Sequence, residues 1–113
     1  NLPELEVAAR GRIPFVTVVF NNGSFLLEKD RMQDSAIVAE NNFLPLNYAD
    51  VARALGCHGI RVAQPDDIAP AIQAGLDSDM PTVIDVVVTR DPKKMLPGVD
   101  NRAAPIKKGD RIA

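Results

Sequence analysis

Two long apolar runs predict the centre of the fold. Residues 13–20 (IPFVTVVF) and 82–89 (TVIDVVVT) are almost continuously hydrophobic and rich in β-branched side chains. Such runs are typical of strands covered on both faces in a parallel sheet. Residues 59–63 (GIRVA) predict a third, shorter strand. Because the long runs stop well short of the roughly 18 apolar residues of a membrane span, we expect no contact with a membrane.

Apolar residues at helical spacing predict the elements between these strands. Residues 2–10 form a short amphipathic pattern that stops at Gly11. Asn47 is the predicted N-cap of a second helix that ends at Gly56, and Pro65 opens a third helix. We interpret residues 25–46 as a short helix followed by a loop. The apolar faces predicted for the second and third helices are, respectively, Val51, Ala52, Ala54 and Leu55, and Ile68, Ala69, Ile72 and Leu76.

The order of these elements predicts the fold class. Strands that alternate with crossover helices indicate an α/β fold with a parallel sheet, doubly wound and Rossmann-like. We assign residues 1–90 to this domain and residues 91–113, which lack periodicity, to an extended tail. Three strands make a narrow sheet, and the first residue is Asn1 rather than Met. We therefore expect the domain to be incomplete at its N-terminus, with a preceding strand and turn outside this chain.

Composition and charge narrow the classes of partner. The 113 residues carry a net charge of −2, which divides into −5 for residues 1–90 and +3 for the tail. The basic tail contains no aromatic residues, and its Lys and Arg residues are interspersed with Asp residues. We therefore expect no nucleic-acid binding. The single cysteine, Cys57, excludes an intramolecular disulfide, and we expect a cytoplasmic protein.

The polar end of the first strand is the main candidate for a binding site. Asn21-Asn22-Gly23-Ser24 follows directly on the apolar run, and open parallel sheets bind ligands at the carboxyl ends of their strands. An Asn side chain and a backbone carbonyl supply the oxygen ligands that Mg²⁺ prefers. The alternative is that these four residues are a common turn without a ligand.

A longer stretch resembles a known family. LPELEVAARGRIPFVTVVFNNGSF is similar to the diphosphate-binding domain of thiamine diphosphate-dependent enzymes of the acetolactate synthase and 2-oxo acid decarboxylase superfamily. The shared pattern is a helix of the form L-x-E-L-x-x-A-x-R, a G-x-P turn, an apolar strand and a final Asn-Asn. NYADVARALGCHGIRV, QPDDIAPAIQAGL and PTVIDVVV resemble the segments that follow in this family. The resemblance covers about residues 1–90 in colinear order.

The resemblance implies a cofactor site in this chain. Asn22 would be a side-chain ligand of Mg²⁺, the backbone carbonyl of Ser24 would bind the same ion, and Gly23 would let the chain approach the diphosphate. Asn21 and Phe25 are also predicted to bind the cofactor. The family's aspartate ligand would precede Asn1, and its cofactor-activating glutamate would lie in a pyrimidine-binding domain outside these residues. We therefore expect the 113 residues alone to be catalytically inactive.

Glu28 is the candidate catalytic residue. The spacing N-N-G-x-aromatic-x-x-E-K most resembles a sulfoacetaldehyde acetyltransferase-like branch of the family, in which a glutamate lies near the substrate. A carboxylate there could relay protons. The alternative for Glu28 is a solvated helix charge paired with a neighbouring base. Residues 25–27 would line the pocket or, alternatively, belong to the core. Cys57 and His58 are adjacent, which disfavours a nucleophile pair and favours a surface turn.

The functional expectation is an enzyme that uses thiamine diphosphate and Mg²⁺ to make or cleave a C–C bond next to a carbonyl. A 2-oxo acid is the expected substrate class, and the expected partners are the pyrimidine-binding domain of the same enzyme and a second subunit, in a homodimer or tetramer. A further hypothesis is that the tail, residues 91–113, folds over the active-site mouth and favours acidic substrates. The alternative is a non-catalytic α/β binding or interaction module that has lost its metal site.

Overall fold

A computed structural model describes residues 3–24 and 42–89 of the chain. In chain order its elements are α1 (Pro3–Arg10), β1 (Val16–Asn21), α2 (Tyr48–Ala54), β2 (His58–Val62), a 3-10 turn (Pro65–Asp67), α3 (Ile68–Leu76) and β3 (Thr82–Val87). The predicted order of helices and strands is therefore confirmed over the described residues. Phe25, Glu28 and the tail, residues 91–113, carry predictions that lie outside them, as does most of the helix and loop predicted for residues 25–46.

The described strands form one parallel sheet in the order β1-β3-β2. In register, Ile84 of β3 pairs with Val18 of β1 and with Ile60 of β2. Helices lie on both faces, because α1 and α2 pack on one side of β3 and α3 packs on the other. This arrangement confirms the predicted α/β class with crossover helices.

Two small apolar clusters hold the helices to the sheet. The first joins α1 and α2 to Val83 of β3, and the second joins α3 to Ile84 and Val86. Alternate residues of β3 thus face opposite layers, as the period of a strand requires. The buried members are Ala9, Ala52, Cys57 and Val83 on the first side, and Val62, Ala71, Ile84 and Val86 on the second.

The predicted burial of the long apolar runs is right for β3 and wrong for β1. Residues 82–86 are all buried, because β3 is the central strand. β1 lies at the edge of the described sheet and begins at Val16, three residues later than predicted. Val18 is 36% exposed and Phe20 is 75% exposed, so the face of β1 toward the α3 side is incompletely covered. Apolar composition reports what a strand can bury and does not report its place in the sheet.

The helix caps were predicted more accurately than the helix faces. Asn47 caps α2 by accepting hydrogen bonds from the backbone N–H groups of Ala49 and Asp50 at 3.1 and 3.2 Å, and Gly56 follows α2 with φ +83°. Pro65 opens the 3-10 turn before α3, as expected.

Three predicted face residues lie outside the apolar layers. Ala54, Ala69 and Leu76 are exposed, whereas the predicted Ala52 is buried. The other buried residues of these two helices are small ones outside the predicted faces: Ala49 in α2, and Ala71 and Gly75 in α3. The physical reason is close helix approach. A Cβ atom at Gly75 would lie 3.0 Å from Val16 Cγ2, so α3 sits too near the sheet for a large side chain at that position. Among the described helices, none is long and apolar enough to cross a membrane.

Candidate functional site

The candidate site is the loop of residues 21–24 at the carboxyl end of β1. Asn21 is the last residue of the strand, where it pairs with Val87 of β3. Gly23 has φ +62°, in the left-handed region that side chains disfavour. The chain therefore turns sharply at the edge of the sheet where parallel folds bind ligands.

Two asparagine side chains shape this loop. Asn21 Oδ1 accepts a hydrogen bond from the backbone N–H of Gly23 at 3.1 Å, and Asn22 Oδ1 accepts one from the backbone N–H of Ser24 at 3.0 Å. Asn21 Nδ2 also donates to the carbonyl of Leu46 at 3.1 Å. Asn21 thus uses both its amide oxygen and its amide nitrogen within the protein. Each of the two asparagine oxygens accepts one hydrogen bond, so the Asn22 oxygen keeps a second lone pair that a ligand could use.

The second half of the loop is buried against a distant segment. The carbonyl of Gly23 accepts a hydrogen bond from the backbone N–H of Phe43 at 2.8 Å, and Ser24 forms an antiparallel bridge with Asn42. Ser24 is 5% exposed, and its Oγ has no hydrogen-bond partner among the described residues. A buried hydroxyl without a partner is costly, so the loop geometry favours an additional polar group beside Ser24.

The donors available at the loop are oxygens of amide, carbonyl and hydroxyl groups. Over residues 3–24 and 42–89 no group of three His, Cys, Asp or Glu side chains could hold a metal ion. A hard cation such as Mg²⁺ uses a few protein oxygens together with ligand phosphates. Asn22 is half-buried, and the Ser24 hydroxyl has no hydrogen-bond partner in the described part of the chain, so both oxygens are compatible with such a shared site.

An ion pair between β2 and β3 was not singled out by the sequence reasoning. Asp85 is fully buried, and its Oδ2 lies 2.6 Å from Arg61 Nη1. The same oxygen accepts the backbone N–H of Tyr48 at 3.0 Å, while Asp85 Oδ1 has no partner in the described part of the chain. The sequence could have indicated this pair, because Asp85 is the one charged residue in the apolar run 82–89 and a buried charge needs a partner.

Cys57 and His58 do not form a reactive pair. Cys57 is buried in the α1–α2 layer and donates from Sγ to the carbonyl of Leu5 at 3.4 Å. Burial raises the pKa of the Cys57 thiol, which disfavours the reactive thiolate. His58 is exposed at the start of β2. The expected surface turn is therefore wrong for Cys57 and right for the exposure of His58.

Known proteins share the sequence pattern of this chain. The model of the family described as "Thiamine pyrophosphate enzyme, C-terminal TPP binding domain" matches residues 1–86. This chain belongs to that family. The resemblance read from the helix, strand and Asn-Asn motif is confirmed, and the matched region contains the whole loop of residues 21–24.

This chain is also similar in sequence to individual thiamine pyrophosphate enzymes. The chain is 35% identical over 104 residues to the acetolactate synthase large subunit IlvG of Mycobacterium tuberculosis, with 88% of this chain and 18% of that protein covered. It is 30% identical over 97 residues to a sulfoacetaldehyde acetyltransferase of Alcaligenes xylosoxydans xylosoxydans, with 80% and 16% covered. The chain thus spans less than a fifth of the length of these relatives.

A solved structure supports the same fold. The Rhodococcus jostii RHA1 thiamine diphosphate-dependent 4-hydroxybenzoylformate decarboxylase matches with a TM-score of 0.67 and 26% identity, over 80% of this chain and 18% of that one. A synthase, an acetyltransferase and a decarboxylase therefore share this domain. These relatives catalyse different types of reaction, so the shared domain leaves the type of reaction open.

Proposed function

We propose that this chain binds the diphosphate of thiamine diphosphate, together with Mg²⁺, in an enzyme that makes or cleaves a C–C bond next to the carbonyl of a 2-oxo acid. The observation that carries the proposal is the loop of residues 21–24. It combines a positive φ at Gly23, a fixed Asn22 oxygen and a buried Ser24 hydroxyl that has no hydrogen-bond partner within residues 3–24 and 42–89. The loop lies at the carboxyl end of a parallel strand. The family match over residues 1–86 supports the choice of cofactor.

Each residue of the loop has a proposed role. Asn22 Oδ1 and the backbone carbonyl of Ser24 are the proposed Mg²⁺ ligands, and Gly23 permits close approach of the diphosphate. Asn21 contributes by holding the turn, because its side chain already bonds Gly23 and Leu46. When bound, thiamine diphosphate supplies a carbon nucleophile that adds to carbonyl substrates.

The rest of the proposed machinery lies outside the described residues. Phe25 is proposed to contact the cofactor and Glu28 to relay a proton near the substrate. A pyrimidine-binding domain of the same enzyme and a second subunit, in a homodimer or tetramer, are proposed to complete the site. A cytoplasmic location is proposed as well, from the single cysteine of the chain.

Calorimetry with thiamine diphosphate and Mg²⁺ tests the proposal on the protein expressed from its complete gene. Asn22→Ala removes a metal ligand and the acceptor for the Ser24 N–H, so we expect cofactor affinity to fall at least about tenfold. Asn22→Asp keeps an oxygen at that position and should retain Mg²⁺-dependent binding. Gln73→Ala is the matched control, because Gln73 is an exposed residue of α3 whose side-chain amide donates to Asp77 Oδ1 just after the helix.

Two results would count against the proposal. Equal cofactor affinity in the wild type and in Asn22→Ala would remove Asn22 from the site. A wild-type protein that binds neither thiamine diphosphate nor Mg²⁺ would support the alternative, a non-catalytic α/β module of the same fold.

A further inference from the structure

The loop of residues 21–24 is held by a segment from a distant part of the chain. We call residues 42–48 the bracing segment. Its Phe43 N–H donates to the Gly23 carbonyl at 2.8 Å beside the Ser24–Asn42 bridge, and its Leu46 carbonyl accepts from Asn21 Nδ2 at 3.1 Å. The bond to Leu46 also orients the Asn21 amide, because Nδ2 faces the Leu46 carbonyl and Oδ1 then faces the Gly23 N–H. The shape of the loop therefore depends on where the bracing segment lies.

The bracing segment is in turn fixed to the sheet by Arg61 and Asp85. Asp85 Oδ2 accepts the Tyr48 N–H at 3.0 Å and lies 2.6 Å from Arg61 Nη1. The same Nη1 also donates to the Leu46 carbonyl at 3.3 Å. Arg61 and Asp85 face each other in register on neighbouring strands, so the pair forms part of the rigid sheet.

We propose that Arg61 and Asp85 are positioning residues for the candidate cofactor loop. The sheet fixes the ion pair, the ion pair fixes the Leu46 carbonyl, and that carbonyl orients the Asn21 amide that shapes the turn at Gly23. Charged partners make stronger hydrogen bonds than neutral ones, which suits them to hold a loop in one geometry. The effect on cofactor affinity rests on the proposed function, whereas the effect on the loop does not.

Hydrogen–deuterium exchange without cofactor tests the effect on the loop. Arg61→Gln is expected to speed exchange at the N–H groups of Gly23 and Phe43 about tenfold, because their partners lose a fixed position. Asp85→Asn keeps the shape of the side chain but not its charge, and should act in the same direction. Val62→Ala is the matched control, since Val62 is the buried neighbour of Arg61 on the opposite face of β2. It should raise exchange in α3 without a selective effect on the loop.

A double-mutant cycle tests whether the pair acts through Asn21. We expect Arg61→Gln and Asn21→Ala each to weaken binding of thiamine diphosphate with Mg²⁺ about tenfold, and the double variant to lose about tenfold rather than a hundredfold. Val62→Ala should lower the melting temperature and leave this affinity unchanged. Full-length protein expressed from the complete gene is used throughout.

The outcomes separate the two proposals. Unchanged exchange at Gly23 and Phe43 in Arg61→Gln overturns the positioning role, whatever the protein binds. Additive losses of affinity in the double variant overturn the route through Asn21. If wild-type protein binds no cofactor, the proposed function fails, and the exchange measurement still decides the positioning role.

Discussion

A methyl group added at Gly59 of β2 should strongly lower the stability of the fold. A Cβ atom there would lie 2.1 Å from the Ala49 carbonyl oxygen and 2.8 Å from its carbon. Ordinary C···O contacts are about 3.3 Å, so α2 would have to move by about 1 Å. Ala49 and Ala52 are at most 1% exposed, and this movement would loosen both. Overpacking costs about 1–3 kcal/mol, and a backbone neighbour cannot rotate away, so we expect a loss of about 3 kcal/mol for Gly59→Ala.

Thermal and urea-induced unfolding, followed by circular dichroism, measure this effect. A loss of about 3 kcal/mol lowers the melting temperature by roughly 10–20 °C in a domain of this size. Gly11→Ala is the matched control, because Gly11 is exposed after α1 and a Cβ atom there would lie no closer than 3.2 Å to another atom. We expect that control to change stability by less than about 1 kcal/mol. A Gly59→Ala variant as stable as Gly11→Ala would refute the close packing of β2 against α2.

Two further predictions concern α2 and the buried thiol. Asn47→Ala removes the cap of α2 and should cost about 1 kcal/mol in urea unfolding, with Asn47→Asp restoring most of it, whereas an unchanged midpoint would contradict the cap. Because burial raises the Cys57 pKa, the folded state holds its thiol proton above the ordinary thiol pKa. That stability is complete below the ordinary pKa and lost as pH rises. The urea midpoint should therefore fall more steeply in wild type than in Cys57→Ala as pH rises above about 8.5, and equal slopes would contradict it.

The fold was predictable where one residue type decides local geometry. Asn47 has the side-chain oxygen that caps a helix, and Gly56 tolerates the positive φ that follows α2. β3 was predictable because a central parallel strand must be apolar on both faces. The same rule failed for β1, since its composition is equally apolar while its place at the edge of the described sheet is set by the other strands.

Helix faces were predicted less well because size, rather than hydrophobicity, decides which residue contacts the sheet. Leu76 is the more hydrophobic side chain, yet it is 65% exposed while Gly75 is buried. The small residue lets α3 approach Val16 and Thr82 closely. A pattern of apolar positions records the direction of a helix face and does not record the distance at which two elements pack.

The geometry of the candidate site depends both on local residue types and on contacts with distant parts of the chain. Residue types alone predicted a turn at Asn21-Asn22-Gly23-Ser24, because asparagine bonds its own backbone two residues on, and both of these bonds are present. The orientation of the Asn21 amide could not be predicted in this way, since its partner is a carbonyl 25 residues later. That carbonyl lies beside Arg61, whose own partner is Asp85. A charged residue inside an apolar strand is expensive to bury, so Asp85 was a sequence feature that could have indicated a contact beyond local structure. The local turn can thus be predicted from residue types, whereas the contacts that connect it to the sheet through Leu46, Arg61 and Asp85 come from the fold.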